Sequence, residues 1–134
     1  MTLGDVSLAV GDTETGWATV SLVSRDATGF GASGKASVLI AASASVGNTG
    51  AKVERKSKTE VRLLDWGHAP VRAEGVPCEI VFPVPPSRLV CYALAADGSR
   101  AKEIAPEAVG DGSRARVRLS PVHRTLWYEV VIKP

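Results

Sequence analysis

Three tryptophans set the chemistry available to this sequence. Trp17, Trp66 and Trp127 make up three of only seven aromatic residues. An indole offers a flat apolar surface with one N–H donor at its rim. A pyranose offers axial C–H groups on one face and hydroxyls around its edge, so the two stack. Trp17 and Trp127 fall on the polar face of alternating stretches, "WATVSLVS" and "RTLWYEVVIK". Trp66 sits in the loop "DWGHAP". Thr19, Asp65, His68 and Glu129 lie close to these indoles in sequence and are the candidate partners for sugar hydroxyls. The competing reading is that each indole covers a sheet face or packs on a neighbouring domain.

Other chemistries fit the residues less well. The two histidines are His68, in a loop with Asp65, and His123, just ahead of the last strand. No serine occupies a G-x-S-x-G elbow, so no nucleophilic triad is expected. Glu54, Asp97, Glu103 and Asp111 fall in turns and charged stretches. Paired-carboxylate glycoside hydrolysis needs instead a cleft with a proton donor and a partner carboxylate. Cys78 and Cys91 form no C-x-x-C pair and suggest no zinc site. They are expected on strands joined by "PVPPS", as two buried thiols or, if those strands make a hairpin, as a disulfide. Arg114, Arg116 and Arg118 alternate with Ala115, Val117 and Leu119, which reads as a solvated face over a core face. "KVERKSK" reads as a solvated loop or strand edge, where lysines discourage edge-to-edge pairing.

The elements that must position these groups are strands. Thirteen Gly and eight Pro punctuate the chain about every ten residues, the rhythm of an all-β sandwich or barrel. Strands are expected over 5–10, 17–24, 36–46, 59–64, 71–82 (interrupted at Gly75–Pro77), 88–96, 100–109, 114–120 and 124–133. Loops are expected at 11–16, 25–35, 47–50, 65–70, 83–87, 97–99 and 110–113. In the last strand Leu126, Tyr128, Val130 and Ile132 form the core face. No segment keeps a helical period. The expectation is an antiparallel β-sandwich of about eight or nine strands in one domain, residues 1–134.

Composition narrows the partners. Sixteen basic and fourteen acidic residues leave a net charge of +2, too balanced for nucleic acid or an anionic membrane as the main partner. No apolar run approaches the roughly 18 residues that span a bilayer. The start, "MTLGDVSLAV", lacks the basic and apolar regions of a secretory signal. The expectation is therefore an intracellular protein or a piece of a longer exported chain.

Four stretches, in order, carry a resemblance: "VLIAASASVGNTG", "DWGHAPVRAEGVPCEIVF", "VCYALAADGSR" and "RTLWYEVVIK". Together they resemble the C-terminal β-sandwich accessory domain of bacterial multidomain glycoside hydrolases over residues 17 to 134. Asn48–Gly50, Trp66–Gly67 and Trp127–Tyr128 are the family positions. Where relatives carry a tryptophan after the N-T-G turn, this chain has "AKVERK". The resemblance implies a non-catalytic, monomeric, extracellular or cell-surface module that holds β-glucan, such as cellulose, near a linked catalytic domain. Trp17 and Trp127 would stack on the sugar, with Trp66 third. The alternative it leaves is a structural module that packs on the catalytic barrel and binds no sugar. No cofactor or catalytic metal is expected. A structural Ca²⁺ has candidate loops in "GDTETG" and "GDGS".

Overall fold

The computed structural model describes residues 1–26 and 34–134. Most of the expected loop 25–35 therefore lies outside the described residues. The fold is the expected antiparallel β-sandwich, with no barrel closure. One five-stranded sheet has the order β1 (Thr2–Leu3), β2 (Val6–Val10), β9 (Cys78–Phe82), β13 (Arg114–Leu119), β12 (Glu107–Val109). The other has the order β11 (Arg100–Ile104), β10 (Leu89–Leu94), β14 (Trp127–Ile132), β4 (Ala36–Ser43), β3 (Thr19–Ser24).

Alternation builds the core. From the first sheet Val6 and Leu8, Cys78, Ile80 and Phe82, and Ala115, Val117 and Leu119 point inward. From the second come Ala36 to Ala42 by twos, Leu89, Cys91 and Ala93, and Tyr128, Val130 and Ile132. Strand pairing puts these residues in shared rows, so Val38 stands opposite Val130 and Ile40 opposite Tyr128. The Tyr128 hydroxyl donates to the Ser120 carbonyl at 3.3 Å, which lets a phenol sit in this apolar layer. Burial holds that hydroxyl protonated, with its pKa up at about 12.

Four further strands lie outside the sandwich. β5 (Val46–Thr49) pairs with β8 (His68–Ala73), and β6 (Lys52–Arg55) pairs with β7 (Val61–Asp65). Together they make a two-stranded arm, residues 46–73, about 30 Å long at the usual rise per residue. No arm residue belongs to the buried core. The expected strand 36–46 thus stops at Ser43, and the expected turn at 47–50 is a strand of the arm with a bend at Gly50. The stretch 51–64 is a hairpin around Lys56–Glu60. The arm and the short edge strands raise the number of strands above the expected eight or nine.

Two more boundaries differ because the chain changes sheets. The expected strand 100–109 is two strands, since β11 belongs to one sheet and β12 to the other, with Pro106 between them. "PVPPS" likewise carries the chain across the sandwich through a short 3-10 turn at Pro86–Arg88, so β9 and β10 are no hairpin. Cys78 and Cys91 belong to different sheets, and both are free and buried. Desolvation pushes their thiols up to about 11 and about 12, respectively.

Candidate functional site

The seven residues singled out from the sequence fall in three places. Trp127, Glu129 and Thr19 lie on the outer face of the second sheet. Asp65, Trp66 and His68 lie on the arm. Trp17 lies in the loop before β3.

The outer face is built by register. Trp127 stands opposite Ala41, and Ala41 opposite Ser21 on the edge strand β3. Small side chains therefore flank the indole across two strands, and it remains 47% exposed. Thr125 fixes the start of the strand, its hydroxyl accepting from the Trp127 N–H at 3.1 Å. Thr19, exposed, stands opposite Ser43.

Glu129 is the one buried charged residue among the described residues, at 7% exposed. It lies in a row with Leu39 and Tyr92. Arg25 reaches one of its oxygens at 3.0 Å and Arg100 the other at 2.6 Å. Arg100 also lies over the Tyr92 ring, 4.3 Å from its centre. Both carboxylate oxygens are thus engaged, and Glu129 serves as the anchor of an arginine clamp instead of standing open to a ligand. Neither arginine stands out in the sequence, because only cross-strand register brings residues 25, 100 and 129 together.

Trp17 is 57% exposed and walls a small depression of about 350 Å³ with Asp12 and Thr13. It lies outside β3, four residues before Ser21, the β3 residue in the Trp127 row. Trp17 therefore does not extend the Trp127 row.

The arm residues form a joint. The Trp66 carbonyl accepts from the Asn48 side-chain amide at 2.9 Å, and Thr49 donates its hydroxyl to the Pro70 carbonyl at 2.7 Å. Asp65 accepts from the Gly67 N–H at 2.9 Å, and the His68 ring contacts the Ala69 carbonyl at 2.7 Å. The Ala69–Pro70 bond is cis. Gly67 has a positive φ, and a Cβ there would overlap the Thr49 carbonyl oxygen and the Ala51 nitrogen. The N-T-G and W-G-x-x-P motifs are therefore the two halves of one backbone joint. The Trp66 indole takes no part in closing it and is 76% exposed.

The arm is also where sequence reasoning missed most. Val53 faces Leu63 and Arg55 faces Val61, which places Val53, Val61 and Leu63 on one face. Val46 and Val71 share a face nearer the root. All five are exposed. Val53 between Lys52 and Glu54, and Val61 and Leu63 on either side of Arg62, are the alternation that identifies a two-sided ribbon.

At the root, Glu74 ties three segments together. One oxygen accepts from the Glu14 N–H at 2.7 Å, and the other from the Ser45 hydroxyl at 2.9 Å. The Glu14 bond, then those from Ser45, hold this carboxyl below the usual carboxylate range. Between the arm and the end of the sandwich runs an open trough of about 1000 Å³. Val46, Val53 and Arg72 line it on the arm side, and Asp12, Glu14 and Leu126 on the other.

The remaining polar groups are structural. Arg118, then Arg116, holds Glu79 below the usual range, and Arg118 also pairs with Glu107. This is the solvated face expected of the arginine stripe. His123 packs edge-on against Tyr128, and burial lowers its pKa. Asp111 accepts from the Ser113 N–H within its own turn. Among the described residues no three His, Cys, Asp or Glu side chains converge as a metal site.

No family model, curated protein or solved structure matches the chain.

Proposed function

We propose that the chain is a non-catalytic docking module, in which the sandwich is the base and the arm engages a protein surface. One observation carries this reading. Of fourteen exposed large apolar side chains among the described residues, seven lie in the arm, which contributes none to the core. An isolated two-stranded ribbon is only marginally stable in water. Apolar side chains on such a ribbon gain their burial energy when a second surface covers them. The experiment is amide hydrogen exchange on the monomer, with binding of a hydrophobic dye. Arm amides that exchange far faster than sandwich amides, and dye binding reduced by Leu63→Glu, are the expected results. Arm amides as protected as those of β4 and β14, with no dye bound, would show a closed arm and overturn the reading.

A second reading has its own observation. Ala41 and Ser21 leave room for a flat ligand beside the exposed Trp127 indole, which suits a β-glucan ring stacked on the sheet. In that reading the module belongs to an exported enzyme and holds glucan near a linked glycoside hydrolase domain. Affinity electrophoresis through soluble β-glucans tests it. Retardation that Trp127→Ala abolishes supports glycan binding, and unretarded wild type on every glucan sinks it.

A further inference from the structure

Charge divides unevenly along this chain. The arm, residues 46–73, carries six basic and three acidic side chains, net +3, although the whole chain is only +2. Residues 1–24 carry three acidic side chains and no basic one. Two of those acids, Asp12 and Glu14, are exposed on the sandwich side of the trough. Arg55 shares the apolar face of Val53, Val61 and Leu63, and Lys58 lies in the turn at the arm's tip. The tip does not line the trough of its own chain. One molecule therefore carries a basic apolar ribbon that runs outward from Val53 and, at its foot, a trough whose acids Asp12, Glu14 and Glu74 outnumber its bases Arg72 and Arg124 and whose apolar side chains come from Val46, Val53 and Leu126.

We propose that the trough receives the arm of a second copy of this chain, and that two copies clasp each other reciprocally. The proposal rests on the docking reading above and names its partner. Two-fold symmetry makes the charge match self-consistent. If the tip of one arm reaches Asp12 and Glu14 of the partner copy, the partner's tip reaches the same acids of the first. Each clasp then covers the Val53–Leu63 face that water otherwise meets and sets opposite charges at its rim. Such rim pairs steer association and make it salt-dependent.

Sedimentation velocity over a concentration series, at low and at high salt, tests the clasp. Wild type is expected to form a species of twice the 14.0 kDa chain mass, weakened by salt. Arg55→Glu with Lys58→Glu should raise the dimer dissociation constant about tenfold or more, as should Asp12→Lys with Glu14→Lys. A mixture of the two double variants should dimerise, because the reversed arm of one meets the reversed loop of the other in one half of the clasp, and the native arm meets the native loop in the other half. All four positions are exposed, and an unchanged unfolding midpoint verifies that each variant folds. Wild type that stays monomeric at every concentration overturns the clasp. If that monomer has a rapidly exchanging, dye-binding arm, the docking reading stands with a different partner, such as a linked catalytic domain. If its arm is protected and binds no dye, both readings fall. A dimer indifferent to both reversals also overturns the clasp.

Discussion

Val38 faces Val130 across β4 and β14, and Val53 faces Leu63 across β6 and β7. The two pairs have the same antiparallel arrangement and similar side chains. The first pair is fully buried, whereas Val53 is 65% exposed. The sandwich has a second sheet that closes over its apolar rows, and the arm has none. A cross-strand apolar pair contributes at most about 1 kcal/mol by itself. Most of the stabilisation comes from removing both faces from water, which needs another layer. The sandwich therefore holds the molecule together, and the arm keeps its apolar face in water.

The largest test of this contrast compares truncations. Phe82→Ala, at a fully buried position, should cost about 3–5 kcal/mol in urea unfolding of the chain. Leu63→Ala should change the same transition by no more than about 0.5 kcal/mol. Equal costs would mean that the arm is part of the cooperative core. Next in size is Gly67→Ala. Its Cβ would displace the Thr49–Ala51 backbone, so the arm beyond the joint should lose amide protection. The sandwich midpoint should shift by less than about 0.5 kcal/mol. A matching loss in β4 or β14 would break the proposed independence of the two regions.

The smallest effect is expected at the root. The folded state lowers the Glu74 pKa below its unfolded value, so this group's contribution is present above the unfolded pKa. It is lost as pH falls through the folded value, when the carboxylate is protonated. Relative to its intrinsic rate, exchange of the Glu14 and Ser45 amides should therefore quicken only in acid below the usual carboxylate range, while that of the core strands does not. Glu74→Gln should show the quickened exchange already at neutral pH. Amides that ignore both changes would leave the root held by something other than this carboxylate.

The strands of the sandwich were largely legible, because period-two alternation needs only nearest neighbours to be read. "RTLWYEVVIK" shows it well: Tyr128, Val130 and Ile132 are buried as the pattern requires and Trp127 is exposed, whereas Leu126, expected on the same core face, precedes the strand and lines the trough. The arm was harder to see. Lys52, Glu54, Arg55, Lys56 and Lys58 mask Val53, Glu60 and Arg62 mask Val61, and turn residues at 47–50 and 65–70 look like ends of strands. They are instead two sides of one joint, an arrangement visible only when the strands are paired. The role of Glu129 was hidden for a similar reason. Its polar position in the strand was plain, but Arg25 and Arg100 are 104 and 29 residues away.

The sequence by itself determined the class of fold, the core face of the main strands and the outward position of the Trp127 indole. Local alternation and turn chemistry act over a few residues and survive in any register. Only the tertiary structure decided that β9 and β10 part company at "PVPPS", that two arginines close over Glu129, and that residues 46–73 leave the sandwich. Those outcomes depend on which strands pair and which faces find a second layer, and long-range burial settles both.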